Sequence, residues 1–203
     1  ISVTTDGEAG ENIEHYCHPV DKSRKAELLI ELIETQNWDQ ALVFTRTKHG
    51  ADRLQKQLEK VEISAKAIHG NKTQNNRMKA LDAFKNNRVK ILVATDVAAR
   101  GIDIKKMSQV INFDVPTVAK DYIHRIGRTG RGGDKGKAIT LVSADEFRLL
   151  SDIEKLLGQK LERVEIEGFE PEHVVPAKEK QKPKNKKFHN RGGFKNRRRS
   201  RKG

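Results

Sequence analysis

A single cysteine, Cys17, occurs in 203 residues. One thiol excludes an internal disulfide and any metal site built from several cysteines. No apolar run approaches the ~18 residues that a membrane-spanning helix requires. No positively charged, apolar leader with a small-residue cleavage site opens the chain. The chain is therefore expected to be soluble, intracellular and cytoplasmic, with no membrane partner. An isoleucine at position 1 is expected of a fragment or a processed product. Aromatic residues make up only 5% and hydrophobic residues only 35% of the sequence, which is lean for a packed domain. No internal repeat is present.

The location of the charge explains the lean composition. Thirteen Lys and Arg face one acid, Glu179, between Ala177 and Gly203. That stretch carries a net +12 of the chain's +13, leaving about +1 to residues 1–176. The high isoelectric point belongs to the tail, and a near-neutral body is not one broad basic face. Its contacts with an anionic partner are expected to be few and placed. The tail holds only two aromatics, Phe188 and Phe194, too little apolar surface to offset the entropy of ordering, so it is expected to be disordered. Its lysines and arginines suit a polyanion, with binding driven by counterion release. An anionic membrane would also attract it, but no amphipathic face supports insertion.

Three segments follow: a polar leader over 1–11, a folded domain over 12–170, and a basic tail over 171–203 whose apolar pattern has stopped by about Ala177. Within the domain, short β-like runs alternate with helical patterns. IEHYCHPV, ALVFT, AKAIHG, KILVAT, QVINFD and KAITLVS are strand candidates. Ala26, Leu29, Leu32 and Ile33 mark one amphipathic helix, Ala51, Leu54 and Leu58 a second, and Met78, Leu81 and Phe84 a third. Val118 to Ile126 is expected to be helical, and Ser143 with Glu146 forms a capping box before a helix that runs toward Leu157. The alternation predicts an α/β fold, a mostly parallel sheet with helices on both faces. Continuous apolar runs such as ILVA and LVF suit strands buried on both sides. Ligands of such folds sit beyond the carboxyl ends of the strands, and the motifs below are expected to begin there.

The densest chemistry lies in HRIGRTGR, His124 to Arg131. Glycine lets a backbone turn sharply and approach a ligand, and arginine presents a rigid fork of donors matched to phosphate oxygens. The stretch reads as an anion grip; a solvated basic loop is the plain alternative. ATDVAARGIDI, Ala94 to Ile104, follows the run KILV and adds two aspartates and an arginine. LVFTRTK (Leu42 to Lys48), HGNKTQNNR (His69 to Arg77) and VINFDVP (Val110 to Pro116) complete the set.

In this order and spacing, the five motifs resemble the second RecA-like domain of DEAD-box ATP-dependent RNA helicases, over roughly residues 12–170. The tract IEKLLGQKLERVEIEGFEPE, Ile153 to Glu172, looks like the end of the helicase core in the bacterial RhlE group. The resemblance implies a RecA-like sheet, ATP as cofactor, RNA as partner, and a preceding RecA-like domain as the other wall of the nucleotide site. It assigns Arg128 and Arg131 to the ATP γ-phosphate, one of them as an arginine finger; phosphoryl transfer spreads charge that such a finger stabilises. It makes His124 a residue that couples the two domains when the cleft closes, although a histidine with its pKa near neutrality also suits a base. It gives Asp103 the ribose hydroxyls, and Gly101 a close backbone approach to the same nucleotide; a turn or cap aspartate is the alternative for Asp103.

Five further positions match RNA contacts of the family: Thr47, Gln74, Arg77, Thr95 and Arg100. Thr47 also suits a helix N-cap, and a helix N-terminus is itself an anion site. Gln74 and Arg77, three residues apart, share a helical face, though an ordinary solvated face would look the same. Contacts to sugar and phosphate position a strand without reading its sequence.

What the resemblance leaves out matters equally. A phosphate-cradling loop needs G-x-x-x-x-G-K-[ST]; near Gly136-Lys137, Arg131 stands in place of the first glycine and Ala138 in place of the Ser or Thr. GRGGDKG also misses G-x-G-x-x-G, and neither a DEAD box nor S-A-T is present. No metal site is expected in this chain, the Mg²⁺ that accompanies ATP being held mainly by the missing N-terminal domain. The chain resembles half of a motor and by itself is expected to be inactive. A non-catalytic RNA-binding or annealing module acting through the tail is the rival from another class, and half of a DNA helicase is a third reading.

Overall fold

The structure, a computed structural model, describes residues 13–100, 104, 107–129 and 136–172. The leader, the tail from 173 onward, and the candidate residues Gly101, Asp103 and Arg131 lie outside the described residues.

In chain order the elements are β1 (Ile13–Pro19), α1 (Lys25–Thr35), β2 (Ala41–Phe44), α2 (Lys48–Lys60), β3 (Ala65–Ile68), α3 (Gln74–Lys85), β4 (Ile91–Ala94), α4 (Asp96–Ala99), β5 (Gln109–Asn112), α5 (Ala119–Ile126), β6 (Gly136–Val142), α6 (Phe147–Leu157) and β7 (Glu162–Arg163). The seven strands form one sheet in the order β3-β4-β2-β5-β6-β1-β7. Every pairing between them is parallel.

The continuous apolar strands are explained by burial on both sides. Ala41 and Val43 of β2 join one core with α1 and α2, where Leu28, Leu29, Leu32, Ile33, Ala51, Leu54 and Leu58 pack. Leu42 and Phe44 of the same strand face the other way, onto Ala80, Leu81 and Phe84 of α3. Further along that second face, Tyr122 and Ile126 of α5 meet Leu150 and Ile153 of α6. Two helical stripes differ from the sequence expectation. In α1 the buried row is Lys25, Leu28, Leu29, Leu32 and Ile33, while Ala26 is only partly buried. In α3, Met78 is 44% exposed and Ala80 takes its place in the core.

Lys25 is buried because three acceptors meet it. Its Nζ donates to the carbonyls of Phe113 and Leu141, each at 2.9 Å, and to Glu146. Burial pushes the ammonium below its ordinary pKa while the Glu146 carboxylate pulls it back up. Glu146 also accepts from Arg46 at 2.6 Å and from the Val115 N–H at 3.2 Å. It serves the expected capping box as well, accepting the Ser143 N–H at 3.3 Å. One carboxylate thus ties α1, the loop after β2, the loop after β5 and the start of α6 together. A second buried carboxylate, Glu154 of α6, takes Lys160 at 2.6 Å, the Leu161 N–H at 3.1 Å and Arg163, which pins β7. Burial alone raises its pKa, and the hydrogen bonds from Arg163 and Lys160 outweigh that and hold it low.

Helix ends follow backbone rules. Asn37, Glu62 and Asn87, with φ of 49°, 62° and 56°, turn the chain just after α1, α2 and α3. Gly158 ends α6 at φ 68°, the left-handed conformation that a residue without a Cβ adopts at least cost. The last described segment folds back over the sheet. Ile166 and Phe169 pack on the α1/α2 core, and the Arg24 guanidinium lies 4.4 Å from the Phe169 ring centre.

Candidate functional site

Arg125, in the last turn of α5, organises the site. It occupies the buried row of that helix with Tyr122 and Ile126 and is 1% exposed. Its Nε and Nη2 donate to the two oxygens of Asp96 at 2.7 and 2.8 Å, a bidentate fork. Its Nη1 donates to Asn112 Oδ1 at 3.0 Å and to the Asp114 carbonyl at 2.8 Å. The guanidinium stands 5.0 Å from the Phe44 ring centre. Asn112 in turn donates to Thr140 Oγ1 at 3.1 Å. One side chain therefore links the end of β2, the start of α4, the end of β5 and, through Asn112, β6. The structure uses this residue inside the protein.

This clamp fixes the neighbours that carry the candidate chemistry. His124 is exposed and Arg128 half-buried. Both line a shallow cleft with Phe44, Asp96, Ala99, Arg100, Asp121 and Arg125. The Arg128 carbonyl accepts the Met107 N–H at 3.1 Å, which anchors the backbone just past α5 to the entry of β5. Both acids of the cleft are matched within it: Asp96 by Arg125, and Asp121 by Arg100 Nη2 at 2.5 Å. HRIGRTGR does not begin at a strand end, contrary to expectation. It starts within α5, which must lie across the sheet so that its buried arginine reaches the ends of β4 and β5.

The RNA candidates fall on the contiguous strand ends β3, β4 and β2. Thr47 follows β2 and caps α2, its Oγ1 accepting the Gly50 N–H at 3.0 Å. A Cβ on residue 50 would come within 3.0 Å of that same oxygen, so glycine keeps the cap open. The hydroxyl proton of Thr47 remains available as a donor. Gln74 and Arg77 sit in the first turns of α3, behind the Thr73 cap, and touch as expected from their spacing, Arg77 Nη1 donating to Gln74 Oε1 at 3.2 Å. Arg77 Nη2 reaches the Ala98 carbonyl at 3.2 Å and so joins α3 to α4. The Arg77 Nε is buried without an acceptor among the described residues. Thr95, 8% exposed, precedes α4; its N–H donates to the Ile68 carbonyl at 3.3 Å and its own carbonyl accepts from Ala98 and Ala99.

The loop before α3 is held from α2, where Asp52 lies 2.9 Å from Lys72 and 3.1 Å from His69 Nε2. Burial raises the Asp52 pKa, and these two partners outweigh it, leaving the carboxyl below its usual range. Arg100 departs from the group: the structure puts it in the cleft with His124 and Arg128. Asp96 and Asp121 were missed on sequence grounds. For Asp96 the readable signal was an arginine in a buried helical row, Tyr122-x-x-Arg125-Ile126, which demands a carboxylate partner; for Asp121 there was none.

Among the described residues no cluster of three or more His, Cys, Asp or Glu is arranged to hold a metal, and no helix is long and apolar enough to cross a membrane.

Comparison with known proteins agrees with this geometry. Residues 24–133 match the family described as the helicase conserved C-terminal domain. The ATP-dependent RNA helicase DbpA of Bacillus subtilis is 40% identical over 193 residues, covering 92% of this chain and 40% of DbpA. The ATP-dependent rRNA helicase RRP3 of Saccharomyces cerevisiae is 50% identical over 126 residues, 62% of this chain and 25% of that protein. The chain thus spans well under half the length of these relatives. Among solved structures, the Escherichia coli DEAD-box protein SrmB bound to the regulator of ribonuclease activity A superposes with a TM-score of 0.73 at 34% identity, covering 82% of this chain and 98% of that one. The C-terminal domain of the DEAD-box protein Dbp5 gives 0.70 at 35% identity, covering 76% and 91%. The family match, residues 24–133, lies in the folded body, so a module acting through its tail alone is not favoured.

Replacing Arg125 with Lys keeps the charge and loses the bidentate fork. Urea unfolding is expected to show a loss of about 3 kcal/mol or more, the scale of a broken buried pair. Stability within 1 kcal/mol of wild type would contradict the clamp.

Proposed function

The chain belongs to the helicase C-terminal domain family of the DEAD-box RNA helicases, and on that premise we propose that it is the second RecA-like motor domain of a cytoplasmic ATP-dependent RNA helicase of the bacterial RhlE-like type. The observation that carries this reading is the cleft itself. A buried arginine clamp sets His124 and Arg128 beside one another, next to the contiguous strand ends that bear Thr47, Gln74, Arg77 and Thr95.

The cleft suits polyphosphate. Its two acids are neutralised by Arg125 and Arg100, so among the described residues the cleft presents no unmatched carboxylate to an incoming phosphate. Arg128 and Arg131 would take the γ-phosphate, Asp103 the ribose, and Gly101 would let the backbone come close; the last three rest on the resemblance alone. ATP supplies the phosphoryl bond whose cleavage reopens the two domains. Asp96 and Asp121 are already engaged by arginines, so the accompanying Mg²⁺ is assigned to the preceding domain. His124, exposed beside Arg128, would meet that domain on closure.

RNA would lie across the ends of β3, β4 and β2, its phosphates meeting the Thr47 hydroxyl, the Gln74–Arg77 pair and Thr95. Arg100 joins them by leaving Asp121. A strand bent to fit both domains leaves the regular duplex, which opens it locally.

Two outcomes follow. In the complete two-domain protein, Arg128→Ala is expected to lower the kcat of RNA-stimulated ATP hydrolysis about 10³-fold or more and to leave RNA affinity within twofold; full turnover in that variant would remove the finger assignment. Asp121→Asn releases Arg100 from an exposed ion pair worth about 0.2–1 kcal/mol. RNA affinity is expected to rise by up to about fivefold, and Arg100→Ala to lower it. An unchanged affinity in both variants would take Arg100 off the RNA path.

A further inference from the structure

The outer face of α2 carries a feature that the strand-end site does not use. His49, Arg53, Lys56 and Lys60 recur at i, i+4, i+7 and i+11, which places them in one row along the helix. All four are exposed. Ala51, Leu54 and Leu58 hold the opposite, buried side. The two acids of α2 lie off the row and are engaged elsewhere, Asp52 with Lys72 at 2.9 Å and Glu59 with Lys66 at 3.3 Å. Among the described residues, no acid lies within ion-pair distance of any member of the row.

A solvated helix face ordinarily mixes its signs, as α6 does where Lys155 pairs with Asp152 at 3.2 Å. Here three full positive charges stand in line on a body whose net charge is only about +1. Lys60 has a local reason to be there, since a cation in the last turn favours the helix dipole; Arg53, in mid-helix, has none, and the acids at helical spacing from Lys56, Asp52 and Glu59, pair with Lys72 and Lys66 instead. The neighbouring helix α1 shows the reverse, with Glu27, Glu31 and Glu34 exposed at i, i+4 and i+7. The acidic row repels a polyanion and leaves α2 as the open track.

We infer that this row is a second binding surface for the RNA backbone, which takes up the strand as it leaves the carboxyl edge of the sheet. The place of entry rests on the proposed function: α2 starts at Thr47, so its row begins where the strand-end contacts stop. From residue 49 to 60 it runs about 17 Å at about 1.5 Å per residue, enough for several phosphates. Guanidinium and ammonium groups on a rigid helix contact phosphates without selecting bases.

The test uses the whole 203-residue chain and two oligouridylates, a short one that spans only the strand ends and a longer one that also covers α2. Arg53→Ala/Lys56→Ala/Lys60→Ala is compared with Lys85→Ala/Arg88→Ala/Arg148→Ala, which removes equal charge on the α3 and α6 side. Both variants keep the same tail, and circular dichroism checks their fold. The α2 variant is expected to bind the longer RNA on the order of tenfold more weakly and to lower its salt slope by about 2, at about 0.7 per phosphate contact. Its affinity for the short RNA stays unchanged, and the control triple leaves both lengths within twofold. Equal losses in the two triples would reduce the row to a solvated face. Competition by polyglutamate as effective as by RNA would assign the row to an acidic protein. Self-association of the wild type that the α2 variant abolishes would assign it to a second copy of this chain. Either result overturns the inference. Arg77→Ala separates the two readings: normal short-RNA binding in that variant would sink the strand-end site, whatever α2 does.

Discussion

The bidentate pair between Arg125 and Asp96 is the constraint on which the rest of this site depends. A guanidinium that is 1% exposed has given up its water, a loss repaid only when its donors are met by well-placed acceptors. Four of its donor contacts, to Asp96, Asn112 and the Asp114 carbonyl, meet that requirement. Their geometry leaves little freedom in how α5 crosses the ends of β4 and β5. His124 and Arg128 inherit that rigidity, being one residue before the clamp and one helical turn after it. A functional group held this way needs little reorganisation when its ligand arrives, which is the condition for electrostatic stabilisation of a developing charge.

The same economy of charge appears at three places. Lys25 with Glu146, Arg125 with Asp96, and Arg163 with Glu154 are buried or nearly buried pairs; the first two join elements distant in sequence, and the third ties α6 to the next strand, β7. They tie the helices of both faces to a sheet whose own strands are almost wholly apolar. The body approaches neutrality, and rows of exposed cations not matched by nearby acids, such as the outer row of α2, stand out against it. Phosphate contacts at such surfaces, as proposed above, would be placed ones, and the tail's composition would add a general attraction separately.

Much of this was legible in the sequence, and for physical reasons. Strands buried on both faces leave continuous apolar runs, so ALVF and ILVA marked β2 and β4 within a residue or two. α5, expected over Val118 to Ile126, runs Ala119–Ile126. The Thr47 cap and the Gln74–Arg77 contact followed from local spacing alone. The misses have physical causes of their own. Lys25 and Arg125 occupy buried rows of their helices, and a reading by hydrophobic periodicity passes over a cation there. That put Ala26 in the α1 row where Lys25 belongs and hid the clamp. The buried arginine called for a carboxylate, but nothing in the sequence says which one, because Asp96 and Asp121 pair with residues distant in sequence. The one-turn α4 and the two-residue β7 are too short to carry a period at all.

The central claim is that the clamp holds Arg128 and His124 as one wall of a nucleotide site whose other wall is a preceding domain. A crystal structure of the complete two-domain protein, trapped with a non-hydrolysable ATP analogue and single-stranded RNA, tests it most directly. The account predicts the Arg128 guanidinium within hydrogen-bond distance of a phosphate oxygen, with the Arg125–Asp96 fork unchanged and RNA crossing the ends of β3, β4 and β2. A closed complex in which Arg128 faces bulk solvent, or in which the fork has opened, would contradict it.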